Sequence, residues 1–546
     1  MKKGTKTTLI VLGSIFAFIG ILFIVADLML SSLLTKEVNK ALSQLPGCEA
    51  SVGDIDLRFF SGTADVTDLH FAYRGESKNK KDTVAPGFVA HVDRIAVGRI
   101  LYSLLFDKQI YITDVRIVRP SMELWLDEKH PELSFPQFKD TTLRQGGEWL
   151  KRAELDKLHI KNAAFSLHSL SSKLDLVVDT VGLTVHDLVY DSTFHYNDTL
   201  YAFSLGNARV LMPDGMIRLE TSDIEHANQG ELKVGRTRIC HTMVRKKLGD
   251  IVREPVTWMD MTIESVTTAP LNPIHKAMNQ DFNLEHLSAT VASMDIFRDE
   301  RYAPKAPFDM PQNILTSIPV VFNIKHVDAG IRKIDIEFAS TNVNCGRLAL
   351  RDIRTVVDNV TNKRGATMYV NGHCPISKNG HAVAKMNMSM NKACQWLLDL
   401  HATDIDIDYL NTFVRPLVGI TADCHLDTLD MHYTGDDQIA KGTFRMLYHG
   451  LKVQVHEEDD IPYKIVTKNA KAFTTIANSL LPKSNPTAVD IRPRAYEVEW
   501  KRDEWKPFPL YMFGPCIDGV KKTFLPGLYV HKQVKKQEEI RRNKNE

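Results

Sequence analysis

Little in this chain marks it as a chemical machine. Its 546 residues hold no Gly-x-Ser-x-Gly elbow, no phosphate-binding loop and no His-Glu-x-x-His pair. The commonest signatures of serine hydrolases, nucleotide-dependent enzymes and zinc proteases are therefore missing. Neither charge sign dominates: 68 Lys and Arg stand against 67 Asp and Glu, a net charge of +1. Such a balance gives no electrostatic footprint for nucleic acid. Cysteine is sparse, with seven residues at 48, 240, 345, 374, 394, 424 and 516 and no Cys-x-x-Cys pair. An odd number leaves one thiol unpaired, and bridges and buried thiols stay equally open. Beyond Leu30 no run approaches 18 apolar residues.

One long apolar run is present, from Thr8 to Leu30, with Asp27 as its single charge. At 1.5 Å per residue it spans roughly 35 Å, enough to cross a bilayer's hydrocarbon core. Lys2, Lys3 and Lys6 precede it, which predicts a cytoplasmic N-terminus and an exported remainder. A cleaved signal peptide would carry a shorter apolar core ending in small residues. Asp27, Met29 and Leu30 stand there instead, so the segment reads as a retained single-pass anchor. Leu45-Pro46-Gly47-Cys48 looks like a lipidation box, but Lys36, Glu37 and Lys40 separate it from the apolar run.

After a helical continuation from Ser32 to Leu45, apolar and polar residues alternate at period two almost to the end. Ile55-Leu57-Phe59, Met122-Leu124-Leu126, Ile334-Ile336-Phe338, Met386-Met388-Met390, Phe444-Met446-Tyr448 and Leu451-Val453-Val455 are examples. A one-residue slip between Ile110-Ile112 and Val115-Ile117 predicts a bulge. Helical periodicity is confined to Gly147–Leu158, Pro273–Asn279, Cys394–Leu400, Asp408–Val418 and Lys471–Leu481. A stretch from Tyr302 to Pro319 with four prolines reads as a linker, and the tail from His531 is almost wholly charged or amide. The expected organisation is an anchor over 1–31, a β region over 32–300, a linker over 301–319, a second β region over 320–530 and a tail over 531–546. So few helices cannot cover so many one-sided strands, so each apolar face must meet another sheet or the sheet must curl on itself. A sandwich, a closed barrel and an open apolar trough all satisfy that pattern.

Particular segments resemble the AsmA-like family. Val52-Gly53-Asp54-Ile55-Asp56-Leu57 through Asp68-Leu69-His70-Phe71 is similar to the family's unit just past its anchor. Val92 to Val97, Ile110 to Ile117 and Arg119-Pro120-Ser121-Met122-Glu123-Leu124 resemble its strand, loop, strand, Pro, strand pattern. Asp406–Val418, Thr421–Tyr433, Ala440–Val455, Phe473–Leu481 and Tyr511–Gly527 resemble its closing module. The likeness covers about 60% of the chain and is weakest from about 190 to 320. It implies a mainly β fold: an N-terminal transmembrane helix, then a long, curled β-sheet forming a groove, with a few short helices. It further implies a single-pass inner-membrane protein whose bulk lies in the periplasm, supporting phospholipid transport to the outer membrane or outer-membrane integrity. Its partners would be membrane phospholipids and outer-membrane or envelope proteins, with oligomers compatible and no nucleic acid. The alternative is a non-enzymatic assembly factor for the envelope or for outer-membrane proteins, with a closed β core.

The residues expected to line the groove are Ile55, Leu57, Val66, Leu69, Phe71, Ile110, Ile112, Met122, Leu124, Ile334, Ile336, Phe338, Met386, Met388, Phe444, Met446, Leu451 and Val453. No catalytic residue, metal site or cofactor is expected. Asp404, Asp406 and Asp408 begin like a calcium loop, yet Tyr409 and Arg415 occupy positions that need Gly and Glu. His373, His381, His425 and His432 lack zinc-finger spacing, and strand alternation predicts opposite faces for the last two. Trp500, Trp505, Tyr511 and Phe513 read as a packing cluster or as a groove mouth. The Met386–Met390 run suits a core or varied acyl chains.

Overall fold

In the computed structural model most of the period-two alternation forms strands; of the named alternating residues, Phe59 lies outside the described residues and Met390 just beyond the end of its strand at Ser389. The structure describes residues 31–45, 47–58, 62–75, 84–102, 109–136, 152–190, 194–195, 197, 200–272, 276, 282–318, 320–339, 345–456, 470–488 and 491–524. The expected membrane span and the charged tail lie outside these residues, as does nearly all of the expected helix Pro273–Asn279. Among the described residues no helix is long and apolar enough to cross a membrane. The protein is mainly β, with 22 strands among the described residues and few helices. It divides into two compact units.

The first unit comprises Met1–Thr242 and Pro270–His275. Helix α1 (Ser31–Leu42) leads into β1 (Cys48–Arg58), β2 (Thr63–Arg74), β3 (Gly87–Val97), β4 (Ile100–Tyr102), β5 (Gln109–Leu126) and β6 (Arg152–Ser169). There follow β7 (Asp175–Tyr190), β8 (Phe194–His195), β9 (Tyr201–Leu211), β10 (Ile217–Ala227), β11 (Lys233–Val234) and β12 (Thr237–His241). The main strands pair in the order β1-β2-β3-β5-β6-β7-β9-β10-β12, antiparallel except for the parallel pair β5–β6.

The second unit comprises Met243–Ala269 and Lys276–Glu546. It contains α2 (Arg245–Val252), β13 (Val256–Thr268), β14 (Phe282–Asp299), α3 (Pro311–Thr316), β15 (Phe322–Ala339), β16 (Cys345–Thr361), β17 (Thr367–Pro375) and β18 (His381–Ser389). Then come β19 (Trp396–Asp406), α4 (Asp408–Val418), β20 (Ile420–Gly435), β21 (Ile439–Val455), α5 (Ala470–Leu480), β22 (Ala495–Lys501) and α6 (Phe508–Phe524). Strands β13 to β22 pair in sequence order, antiparallel except for the parallel pair β14–β15.

That parallel pair carries a repeat. Phe282, Asn283, His286, Ala289, Asp295 and Ile296 sit beside Phe322, Asn323, His326, Ala329, Asp335 and Ile336, each next to its own kind.

Helices pack against part of the strands in each unit: α1 on β1 in the first, and α2 on β13–β14, α4 on β16 and β20, α5 on β21 and α6 on β21–β22 in the second. Leu34, Val38 and Leu42 of α1, four residues apart, are buried on Val52, Ile55 and Val66. Asn39 fastens the free edge of β1: its Nδ2 donates to the Val52 carbonyl at 2.8 Å, and its Oδ1 accepts from the Val52 amide at 2.7 Å. Thr35, one turn earlier, accepts from the Ile55 amide at 3.1 Å. Asn478 and Thr474 of α5 repeat this arrangement on β21, at Val453 and Val455. An edge strand so covered has fewer open backbone groups to offer another strand. Tyr511 of α6 is buried, its ring 5.7 Å from that of Trp396 and its hydroxyl donating to the Asp436 carbonyl at 3.1 Å.

Two expected helices are strands. Of Gly147–Leu158, residues 147–151 lie outside the described residues and the rest belong to β6 from Arg152, and Cys394–Leu400 enters β19 at Trp396. The helices over Asp408–Val418 and Ala470–Leu480 form where periodicity placed them. The Pro-rich stretch Tyr302–Pro319 lies inside the second unit, where Met310 and Gln312 are fully buried and Gln312 donates to the Cys394 carbonyl at 3.1 Å.

Candidate functional site

Residues paired directly across strands share a sheet face, so the ladders sort every side chain. In the first unit one unbroken row runs Cys48, Tyr73, Phe88, Leu124, Leu167, Leu176, Val210, Leu219, Ile239. A second row runs Ile55, Val66, Ile95, Ile117, Ile160, Leu183, Phe203, His226. Apart from His226, every member of both rows is apolar or aromatic. The opposite face carries Glu49, Ala72, Val89, Glu123, Ser166, Val177, Arg209, Glu220 and Arg238, six polar or charged residues of nine. One face of nine strands is thus apolar from edge to edge.

Keeping it so requires a correction along each strand. Gly53, Asp68, Asp93, Arg119, Asn162, Thr180, Gly206 and Asp223 stand in a line across the sheet where the ladders skip or shift. Asp68, Arg119, Asn162, Thr180 and Asp223 adopt left-handed φ values of 49 to 56° there. Glycine makes room: a Cβ on Gly53 would approach the Asp68 Cβ to 2.9 Å, and one on Gly206 the Thr180 Cβ to 2.8 Å. At this crease, apolar residues three apart share a face, as Val52 with Ile55 and Val92 with Ile95 do in one buried cluster. Arg119 pairs with Asp93 and, mainly through that hydrogen bond, holds its carboxyl below the usual range. The expected bulge near Ile112 belongs to a second line: β3 gives way to β4 at Gly98-Arg99, the β5–β6 ladder skips Thr113, and Asp187 has φ 53°.

Burial divides the apolar face. In the cluster with α1, Ile55 of β1, Val66 of β2, Ile95 of β3 and Ile117 of β5 are at most 4% exposed. From β6 onward Leu167, Leu176, Leu183, Phe203, Val210 and Leu219 are all part-exposed. The second unit follows the same plan. One row runs Leu287, Val327, Val357, Val370, Met386, Leu398, Tyr433, Gly442, Val498. Leu398, Tyr433 and Val498 are buried where α6 packs, whereas Leu287 to Met386 are part-exposed. Met259, Ile296, Ile336 and Leu348 form a further part-exposed row.

The expected lining residues fall into these zones. Ile55, Leu57, Val66, Leu69 and Ile112 belong to the cluster beneath α1, and Phe71, Met122 and Leu124 to a neighbouring one. Ile110 is buried on β5. Met386, Met388, Phe444, Met446, Leu451 and Val453 pack in the cluster that includes Tyr511 and Val498. Ile334, Ile336 and Phe338 lie on the part-exposed rows of β15. Sequence reasoning missed Phe203, Val210, Leu219, Ile296 and Leu348. Extending the alternation through the crease would have found them.

The polar faces carry paired charges. His401 bonds Asp430 at 2.6 Å, and His432 bonds Asp399. His425 bonds Asp404 at 3.2 Å, and His449 bonds Asp427. His425 and His432 share this face, contrary to strict alternation, because the ladder shifts between Leu426 and Thr428; their neighbours Leu426 and Met431 are both buried on the other side. Asp404 and Asp406 end β19, and Asp406 accepts from the Asp408 amide at 3.1 Å as α4 begins. A shallow cleft over β6 to β10 has His159, Thr184, Ser204 and Glu225 among its lining residues. His159 lies 3.0 Å from the Thr184 hydroxyl, and burial pushes its imidazole below the ordinary value. Trp500 packs beneath Gly514, while Trp505 and Phe513 are exposed. Cys48, Cys240, Cys374, Cys394, Cys424 and Cys516 are free thiols.

No family model, curated protein or solved structure matches this chain.

Proposed function

We propose that this protein is a membrane-anchored, non-enzymatic lipid carrier of the periplasm, with acyl chains lying on the part-exposed apolar faces of β6–β10 and β13–β17. It would support phospholipid movement between inner and outer membranes, or outer-membrane integrity, as the AsmA-like resemblance implies. The observation that carries this reading is the row Leu167, Leu176, Val210, Leu219, part-exposed while Leu124 and Phe88 farther along the same row are buried. A soluble domain gains by covering such a face, and contiguous exposed apolar area marks an interaction site. Four strands and β12 beside them, at about 4.8 Å spacing, give an open face roughly 20 Å across. Each CH2 moved there from water contributes about 0.8 kcal/mol. Head groups would stay in water, and the charged outer face needs no lipid contact.

The test is native mass spectrometry of the full chain purified from its membrane in mild detergent, with extraction and identification of bound lipid. Co-purifying phospholipid, lost when Ile336 and Phe338 become Asp in a protein that still melts cooperatively, is the expected result. A lipid-free wild type under gentle conditions would return the assembly-factor reading.

A further inference from the structure

The parallel pair β14–β15 places a second chemistry on the polar face. His286 and His326 are neighbours in register, and their rings stack at 5.4 Å between centroids. Asp328, two residues along β15 on the same face, lies between them. Its Oδ2 is 2.9 Å from His286 Nε2 and 3.3 Å from His326 Nε2. The other ring nitrogen of His326, Nδ1, is 2.6 Å from Asp358 Oδ1 on β16.

Two features separate this cluster from the other His–Asp pairs of the outer face. First, it is the one group among the described residues in which three potential ligand atoms lie within 4.8 Å of one another. Second, Asp358 holds Nδ1 of His326, so Nε2 of both rings is left directed at one carboxylate. A carboxylate on the far ring nitrogen in this way fixes tautomer and ring orientation in metal-binding histidines. Two imidazole nitrogens and a carboxylate oxygen suit a first-row divalent ion at about 2.0–2.2 Å, with at least one position left open. The ligands are part-exposed, so an ion has a path in. Strand pairing fixes the backbone beneath all four residues, so little order has to be created on binding.

We propose that His286, His326 and Asp328 bind a divalent ion of the zinc class, with Asp358 as the positioning residue for His326. The site is independent of the lipid reading, because it lies on the opposite face of the sheet. It ties three adjacent strands together where the chain steps between parallel neighbours.

The experiment is titration of the full chain in detergent, stripped with chelator, with Co2+ followed by its visible absorption and then displaced by Zn2+. Saturation near one equivalent is expected, with a rise in melting temperature on Zn2+ addition. Asp328→Asn should abolish both signals. Asp358→Asn should weaken affinity about 10–100-fold while leaving the stoichiometry unchanged. His432→Gln should change neither. Absence of saturable binding in the wild type, or binding that survives in Asp328→Asn and in the double variant His286→Gln/His326→Gln, overturns the proposal. Variants are compared by circular dichroism first, and a misfolded one is replaced by the Asp328→Asn result.

Discussion

Gly519 of α6 rests on the ring of Phe444 so closely that a Cβ there would come within 2.2 Å of the ring's Cγ. Phe444 is fully buried, and it has no room to withdraw. Gly514, five residues earlier, meets the Trp500 indole in the same way at 2.3 Å. Gly519→Val should therefore lift α6 from the sheet and cost about 1–3 kcal/mol. Urea unfolding followed by tryptophan fluorescence would measure it. An unchanged midpoint would show that α6 is not docked as described.

The Asn clamps make a sharper prediction. Asn39→Ala removes two hydrogen bonds from the Val52 backbone, and Asn478→Ala removes two from Val453. Each loss should cost about 1–3 kcal/mol. The readout is local: amide exchange at Val52 or Val453 should quicken, while exchange in central strands such as β7 stays as it was.

Asp299 is fully buried, and Arg301 answers it with Nε at 2.9 Å from Oδ1 and an Nη at 2.7 Å from Oδ2. The same guanidinium reaches the Lys246 carbonyl of α2 at 3.0 Å. Arg301→Ala strands the carboxylate, and breaking a buried pair costs about 3–5 kcal/mol. Arg301→Ala together with Asp299→Asn should recover part of that loss in thermal melts.

Alkaline stability should fall early. Burial pushes the thiols of Cys48, Cys424 and Cys516 up to about 11, against 9.0 for a free cysteine. In the unfolded chain they ionise first, so between those values the folded state holds more protons and stability declines as pH rises. Below pH 9 the contribution is fully present. Denaturant midpoints between pH 8 and 11 would trace the decline, and Cys516→Ala should flatten it. Alkylation of the native protein at pH 8 should be slow at these three sites.

The sequence makes strands legible wherever alternation is uninterrupted, and helices where a stripe faces a sheet, as in Asp408–Val418. It misleads where a crease intervenes. Leu155 and Leu158 both lie on the apolar face because the β5–β6 ladder skips between them, pairing Ile112 with Leu155 and Val115 with Leu158. Three-residue spacing on one face is a helical signature, and the segment reads as helix for that reason. In β19 the run Trp396-Leu397-Leu398 hides alternation, since Leu397 pairs with Asn387 and Thr434 on the polar face. The His cluster was also beyond sequence spacing rules. Its two histidines are 40 residues apart and meet because β14 and β15 run parallel in register. Repeated Phe-Asn-x-x-His was the signal that could have pointed there.

The parallel steps have a consequence for how long such a protein can be. A strand that follows its parallel neighbour points the same way and presents the same face. Each unit makes one such step, from β5 to β6 and from β14 to β15. Inserting another stretch that begins and ends in this manner would leave every later strand's direction and sidedness intact, and the end clamps at Asn39 and Asn478 would still meet their own edges. Length is therefore a free variable of this architecture, and the six positions at which β14 and β15 carry the same residue side by side fit lengthening by duplication.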